Sequence, residues 1–280
     1  MSGADVHSDN RMGLERVRAA EFLKLAEENR EMLHGKVHVV VPVRPFTGVN
    51  VHLAKMLSIW YGEGVSWDPF NDYMGGFIEC TRARIALQFI KEYPTYKYLL
   101  MIDDDIEPAV ELPYLLARHD KPVVGSCCMS FSSRFGPMMC FSMKDGNGVY
   151  RFPPLVTAKN GKAHPQMIPS AGLAEVGHCG TGAMLIRRDV LEAFSFEDDD
   201  IPFYVDEKVR REGFKTGTLR RGEDIEFCRQ VKEKGFSVHV DLEAQCAHRK
   251  MSPLSWPDDQ RSDEMSVDDW KVHTAGMEFE

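Results

Sequence analysis

No apolar stretch in the 280 residues approaches the ~18 consecutive apolar residues that a membrane span requires. The opening, Met1 to Met12, lacks the hydrophobic core of a secretory signal, so a cytoplasmic protein is expected. Positive charge is short as well: 34 Lys and Arg face 43 Asp and Glu, for a net charge of -9. That balance argues against a general affinity for nucleic acid or anionic membrane and leaves only a local basic patch open. The seven cysteines include no CxxC pair. An odd, scattered set argues for reduced, mostly buried thiols and against a disulfide framework or a structural zinc. GxGxxG and GxxxxGKS/T are both missing, which removes a dinucleotide fingerprint and a P-loop. No Gly/Ser- or Pro-rich linker interrupts the middle of the chain, so it reads as one large α/β domain.

What is present centres on Lys97 to Pro108. Tyr98-Leu99-Leu100-Met101-Ile102 is a short apolar run that ends in Asp103-Asp104-Asp105 and soon after in Pro108. It reads as a buried strand, too short for a buried helix. In an open α/β sheet, ligands gather beyond the carboxyl ends of strands, where these acids would sit. Asp103 and Asp105 are two apart, so in an extended segment their side chains point the same way. Clustered carboxylates repel unless they share a cation, and hard divalent ions take oxygen ligands together with substrate phosphates. An acidic triplet taken alone is more often a solvated loop. Asp198-Asp199-Asp200 has no buried strand before it and is read as such a loop.

Around this stretch, elements alternate. Leu14 to Leu33 has helical apolar spacing and closes at His34-Gly35. This N-terminal helix, residues 1–35 with what precedes it, would pack on the domain or mediate an oligomer. Val37 to Val43 is the first core strand, followed by an Arg44 to Gly48 loop, a helix over Val51 to Trp60, a strand near Val65 and a Gly-rich loop from Asp68 to Gly76. Thr81 is expected to cap a helix running to Ile90, placing Arg82 and Arg84 at its positive end, suited to phosphate. A helix over Glu111 to Arg118 and a strand over Pro122 to Ser126 continue the βαβ rhythm. Phe131 to Pro169 then breaks it, with a hairpin signal at Gly146-Asn147-Gly148. Gly180-Thr181-Gly182 enters a strand over Ala183 to Ile186 and would allow close backbone approach by a ligand. A short helix over Asp189 to Phe194 precedes a charged segment, Phe203 to Arg221. Gly222-Glu223-Asp224 opens a helix with Ile225, Cys228 and Val231 on one face. Ser237 to Leu242 is a strand, with His248 after it, and 252–280 is an acidic tail.

The order of these pieces resembles the GT-A fold glycosyltransferases, most closely the family 2 type with its phage and bacterial relatives. The likeness runs from Val37 to Lys250 and rests on the strand ending in clustered Asp, the Gly-Thr-Gly strand with Arg187-Arg188-Asp189-Val190-Leu191, the Gly-Glu-Asp helix, and the strand with His248. It implies a Rossmann-like α/β domain over 36–251, a mixed sheet flanked by helices, that transfers a sugar from a nucleotide-diphosphate sugar to an acceptor hydroxyl. Asp103 and Asp105 match the ends of the DxD motif, which holds Mn²⁺ or Mg²⁺ on the donor diphosphate, and His248 matches a histidine that completes the metal site. Asp224, or its neighbour Glu223, matches the base of inverting members. Arg82, Arg84, Asp103, Asp104, Gly180 and Thr181 would line the donor. The chain departs from the pattern at Ala83-Arg84, where relatives carry Asn after the first Arg. It also lacks the acidic signature after the first strand. The acceptor (glycan, lipid, protein or modified nucleic acid) is unspecified. Rival readings are a nucleotidyltransferase, a non-catalytic nucleotide-sugar binding module, and hydrolysis by two carboxylates.

Overall fold

The computed structural model describes residues 30–43, 49–70, 78–132, 136–144, 150–151, 156–159, 162–165, 172–205 and 222–248, with isolated positions 24 and 27. Most of the expected N-terminal helix, the 44–48 loop, the tip of the Gly-Asn-Gly hairpin, the 206–221 segment and the acidic tail lie outside the described residues. In chain order the elements are α1 (Arg30–Leu33), β1 (Val37–Pro42), α2 (Val51–Gly62), β2 (Ser66–Phe70), α3 (Ile78–Glu92), β3 (Tyr98–Ile102), β4 (Ile106–Pro108), α4 (Leu112–Ala117), β5 (Val123–Ser132) and β6 (Gly136–Met139). There follow β7 (Met143–Lys144), β8 (Tyr150–Arg151), β9 (Val156–Lys159), β10 (Lys162–Pro165), β11 (Leu173–Glu175), β12 (Ala183–Arg187), α5 (Arg188–Glu192), α6 (Glu223–Glu233) and β13 (Val238–His248).

The main sheet has the order β11-β13-β5-β12-β3-β1-β2, with β4 added to β13 and β6 to β5. β1 runs parallel to β2 and β3, and β5 parallel to β13, while β12 is antiparallel to both its neighbours. The expected α/β architecture, a mixed sheet flanked by helices, is therefore present. Its central strands are apolar on both faces because both are covered. Val39, Leu100 and Leu185 face a layer built from α2 and α4 through Leu53, Leu57, Trp60 and Leu116. Leu99, Met101 and Ile186 face the opposite layer, where Ile85, Phe89, Val190 and Phe227 come from α3, α5 and α6. Leu33 of α1 is buried in the first of these layers, and Gly35 closes the helix with a positive φ of 66°. The β7–β8 pair flanks the expected hairpin and β9–β10 forms a second one.

Several details differ from expectation for identifiable reasons. Thr81 does not cap α3, which begins at Ile78; Thr81 is buried inside it. Asp68 to Phe70 belongs to β2, paired with β1; the rest of the expected Gly-rich loop, from residue 71 on, lies outside the described residues. On α6 the buried face is Phe227, Cys228 and Val231, with Ile225 only partly covered. β13 continues to His248 because its last residues pair with β4. The seven cysteines are all free; Cys80 is exposed, Cys140 half-buried and the other five buried.

β4 is short, yet both of its edges are occupied. One edge pairs with β13, Ile106 opposite His248 and Pro108 opposite Cys246. On the other side, alternate carbonyls from 104 to 110 accept hydrogen bonds from side chains around α2. Asn50 Nδ2 donates to the Asp104 and Ile106 carbonyls, each at 2.9 Å. His52 Nε2 donates to the Pro108 carbonyl at 2.9 Å, and Trp60 Nε1 to that of Val110 at 2.7 Å. A carbonyl cannot donate, so His52 carries its proton on Nε2. The Trp60 bond is fully buried, so Trp60→Phe leaves an unpaired carbonyl in the core. It should cost about 1–3 kcal/mol in urea-induced unfolding with little change in far-ultraviolet circular dichroism.

Candidate functional site

The site lies at the sheet edge where β3 ends. Because β12 is antiparallel to β3, with Ala183 opposite Ile102, the chain enters β12 at the same edge. Gly180-Thr181-Gly182 is thereby laid beside Asp103-Asp104-Asp105, and the Asp103 N–H donates to the Gly182 carbonyl at 3.0 Å. The acidic segment is a turn, not an extension of β3: the Ile106 N–H donates back to the Asp103 carbonyl at 3.1 Å. Asp103 and Asp105 therefore do not point the same way as in an extended strand, and the two carboxylates find different partners. Asp104, between them, is only 6% exposed.

Asp103 faces Arg82. Arg82 Nη2 donates to Asp103 Oδ1 at 2.7 Å, and Nη1 to Glu223 Oε1. The guanidinium is 3% exposed, against 28% and 21% for the two carboxylates, so it forms the floor of the cluster. Its Nε is buried without a hydrogen-bond partner. Arg84, two residues further along α3, is about 200° around the helix and exposed. The structure thus separates the two arginines, and Arg82 is committed to carboxylates where phosphate was expected. Asp105 turns the other way: its Oδ2 lies 3.2 Å from His248 Nε2, a contact set by the Ile106–His248 pairing one residue on.

Glu223 and Asp224 begin α6 after Gly222, whose backbone occupies the cap position with no side-chain cap. Asp224 Oδ1 accepts from the Ile225 N–H at 2.7 Å. A Cβ on Gly222 would stand 2.8 Å from that same oxygen, so any side chain there would displace the carboxylate. A Cβ on Gly180 would lie 3.1 Å from Cys140 Cβ and 3.7 Å from Asp224 Oδ2, which places the glycine turn beside Asp224. Thr181 is buried.

The balance of charge is negative. Burial works against the Arg82 cation, but the charges of Asp103 and Glu223 outweigh it and hold its pKa above the ordinary value. Loss of water raises Asp103 more than Arg82 lowers it, with Asp105 and Glu223 adding to the rise. Burial, and then the charge of Glu223, push Asp224 up to about 6, against the Ile225 N–H and Arg82. A helix N-terminus favours an ionised carboxylate, but at Asp224 burial is the stronger effect. Among the described residues no group of three or more His, Cys, Asp or Glu side chains is arranged to hold a metal ion. What the structure brings together of the expected metal set is the pair Asp105 and His248.

Asn50 is the residue at this site that sequence reasoning missed. An Asn directly before an apolar helical run signals an N-cap, and its Oδ1 does accept from the Leu53 N–H at 2.8 Å. Nothing in the sequence signals that its amide reaches residues 104 and 106.

No family model matches the chain, and no curated protein matches it in sequence. Solved structures similar to it include A197 from STIV, 14% identical over 79% of this chain and 99% of that one, with a TM-score of 0.44. A second is GalNAc-T7 with UDP, GalNAc and Mn²⁺, 11% identical over 86% of this chain and 48% of that one, TM-score 0.44. A third is the catalytic domain of Drosophila β1,4-galactosyltransferase 7 in complex with xylobiose, 13% identical over 84% of each chain, TM-score 0.39. This chain spans about half the length of the GalNAc-T7 chain.

Arg82→Met removes the cation that Asp103 and Glu223 share and should cost about 3–5 kcal/mol in urea unfolding near neutral pH. Asp103, whose pKa burial already raises, would lose its neutralising cation and rise further, which favours the folded state at low pH. The deficit should therefore shrink as pH falls through the raised Asp103 pKa.

Proposed function

We propose that the chain transfers a sugar from a nucleotide-diphosphate sugar to an acceptor hydroxyl, with inversion. The observation that carries this reading is the separation of two acidic centres at one sheet edge: Asp105 with His248 on one side, Asp224 at the start of α6 on the other. Such a transfer needs one centre where negative charge on the leaving diphosphate is offset, and another where the acceptor proton is taken.

Asp105 and His248 supply an oxygen and a nitrogen ligand, which fit a Mn²⁺ or Mg²⁺ ion that takes its remaining ligands from water and phosphate. When bound there, the ion would offset the charge developing on the diphosphate. Asp103 is engaged by Arg82 and contributes as part of the negative field that attracts a cation. The approach at Gly180 leaves a backbone surface, not a side chain, toward the donor. Asp224 is the base: with a pKa near 6 it is mostly ionised at neutral pH, yet basic enough to accept a proton from a hydroxyl. Glu223, held by Arg82, positions Asp224 through its charge and is not free to take the proton itself. No helix among the described residues is long and apolar enough to cross a membrane.

A screen of uridine and guanosine donors with Mn²⁺ and Mg²⁺ should find hydrolysis or transfer that EDTA abolishes; full activity in EDTA would remove the metal from the reading. Binding of a donor without turnover would instead favour a binding module.

Asp224→Asn gives a paired signature. Transfer should fall about 10²-fold or more while donor binding is retained. Stability should move the opposite way. A carboxyl whose folded pKa of about 6 lies above its ordinary 3.8 favours the folded state when protonated and opposes it once ionised. The variant should therefore be about 1–3 kcal/mol more stable than the parent above pH 6, a gain that fades below about pH 4. Parent-level transfer by the variant would reassign the base.

A further inference from the structure

We propose that Asn50 is a positioning residue for the acidic turn: its carboxamide holds residues 104 and 106 in the register that brings Asp105 to His248. The two ends of the side chain do different work. Oδ1 accepts the Leu53 N–H and starts α2, while Nδ2 spans two carbonyls, those of Asp104 and Ile106. Ile106 is the residue that pairs with His248 across the β4–β13 ladder, and its N–H closes the turn onto Asp103. Asp105 sits between the two carbonyls that Asn50 holds. A helix cap and an acidic turn 54 residues away are thus tied through one amide.

The tie is geometrically demanding. A primary amide offers two N–H groups in a fixed plane, and two carbonyls two residues apart can both be met only if the turn keeps one shape. His52 and Trp60 hold the Pro108 and Val110 carbonyls further along, so the turn cannot slide along α2 without breaking several bonds together. Asn50 meets no part of the acidic pair directly; it acts by fixing backbone, as outer-shell partners fix ligands at metal centres.

Two substitutions separate the cap from the tie. Asn50→Asp keeps an Oδ acceptor for Leu53 and turns a carboxylate oxygen toward the two carbonyls. Asn50→Ser keeps a capping oxygen without adding charge. In hydrogen exchange on the full chain without metal, both variants should lose about tenfold of the protection at the Ile106 amide, the scale of losing one or two net hydrogen bonds. The Leu53 to Leu57 amides should keep theirs. Unchanged exchange at Ile106 in both variants overturns the proposal, as does an equal loss along α2, which would make Asn50 a helix cap alone. A second measurement, Mn²⁺ titration followed by electron paramagnetic resonance, rests on the function proposed above. The parent should bind the ion, and both variants about 10-fold or more weakly. Equal affinity in parent and variants overturns the positioning role. A parent that binds no Mn²⁺ sinks the metal reading, and the exchange result then still decides the role of Asn50.

Discussion

A single guanidinium holds the site together. Arg82 is buried among three elements: its own helix α3, the end of the next strand β3 at Asp103, and the start of α6 at Glu223, 141 residues away. Burying a cation is costly unless it is paired and hydrogen-bonded, and Arg is the side chain whose flat fork can serve two carboxylates at once. The pairing is not neutral, since Asp105 and Asp224 add charge that Arg82 does not match. The result is a cluster with surplus negative charge. Its surplus appears as raised carboxyl pKa values at Asp103 and Asp224, and a bound cation or proton would relieve it.

The sheet explains why these groups meet. Parallel neighbours would bring only strand ends to one edge. Setting β12 antiparallel beside β3 brings a strand beginning there as well, so a glycine-bearing turn lies against the acids. Small residues matter at that junction because the backbone passes within van der Waals reach of Cys140 and Asp224. Gly222 serves the same end from the other side, since space beside Asp224 is what its missing side chain provides.

Much of this was legible before any coordinates. A run as apolar as Tyr98 to Ile102, too short for a helix, has few alternatives to a buried strand, and the acids after it mark its carboxyl end. The Gly-Glu-Asp opening of α6 was legible because acids and a glycine there satisfy the local needs of a helix start. Other features depend on partners distant in sequence. Whether Asp103 to Asp105 continues a strand or turns is decided by the Gly182 carbonyl and by β13. Whether Asp224 is stabilised or strained as an anion is decided by burial, which no helix rule contains. The reach of β13 to His248 depends on β4 being there to pair with it, and the burial of Phe227 in place of Ile225 follows from how α6 is rotated onto the sheet. The donors of Asn50 to the turn are invisible for the same reason: the cap is local, the tie is not.

The order of the sheet has one more consequence. Among the described residues the main path of the sheet ends at β11 and β2, with β4 and β6 attached beside it. β11 is three residues long, and β2 carries Pro69, which has no N–H to offer, and a half-exposed carboxylate at Asp68. An unfinished strand edge is a template on which another chain can extend the ladder, and short length, proline and charge are the features that spoil it. The strands richest in β-branched and aliphatic residues are kept inside these two rims, away from self-recognition. The apolar character that lets β1 and β3 form a two-sided core would otherwise be the feature most prone to draw copies of the chain together.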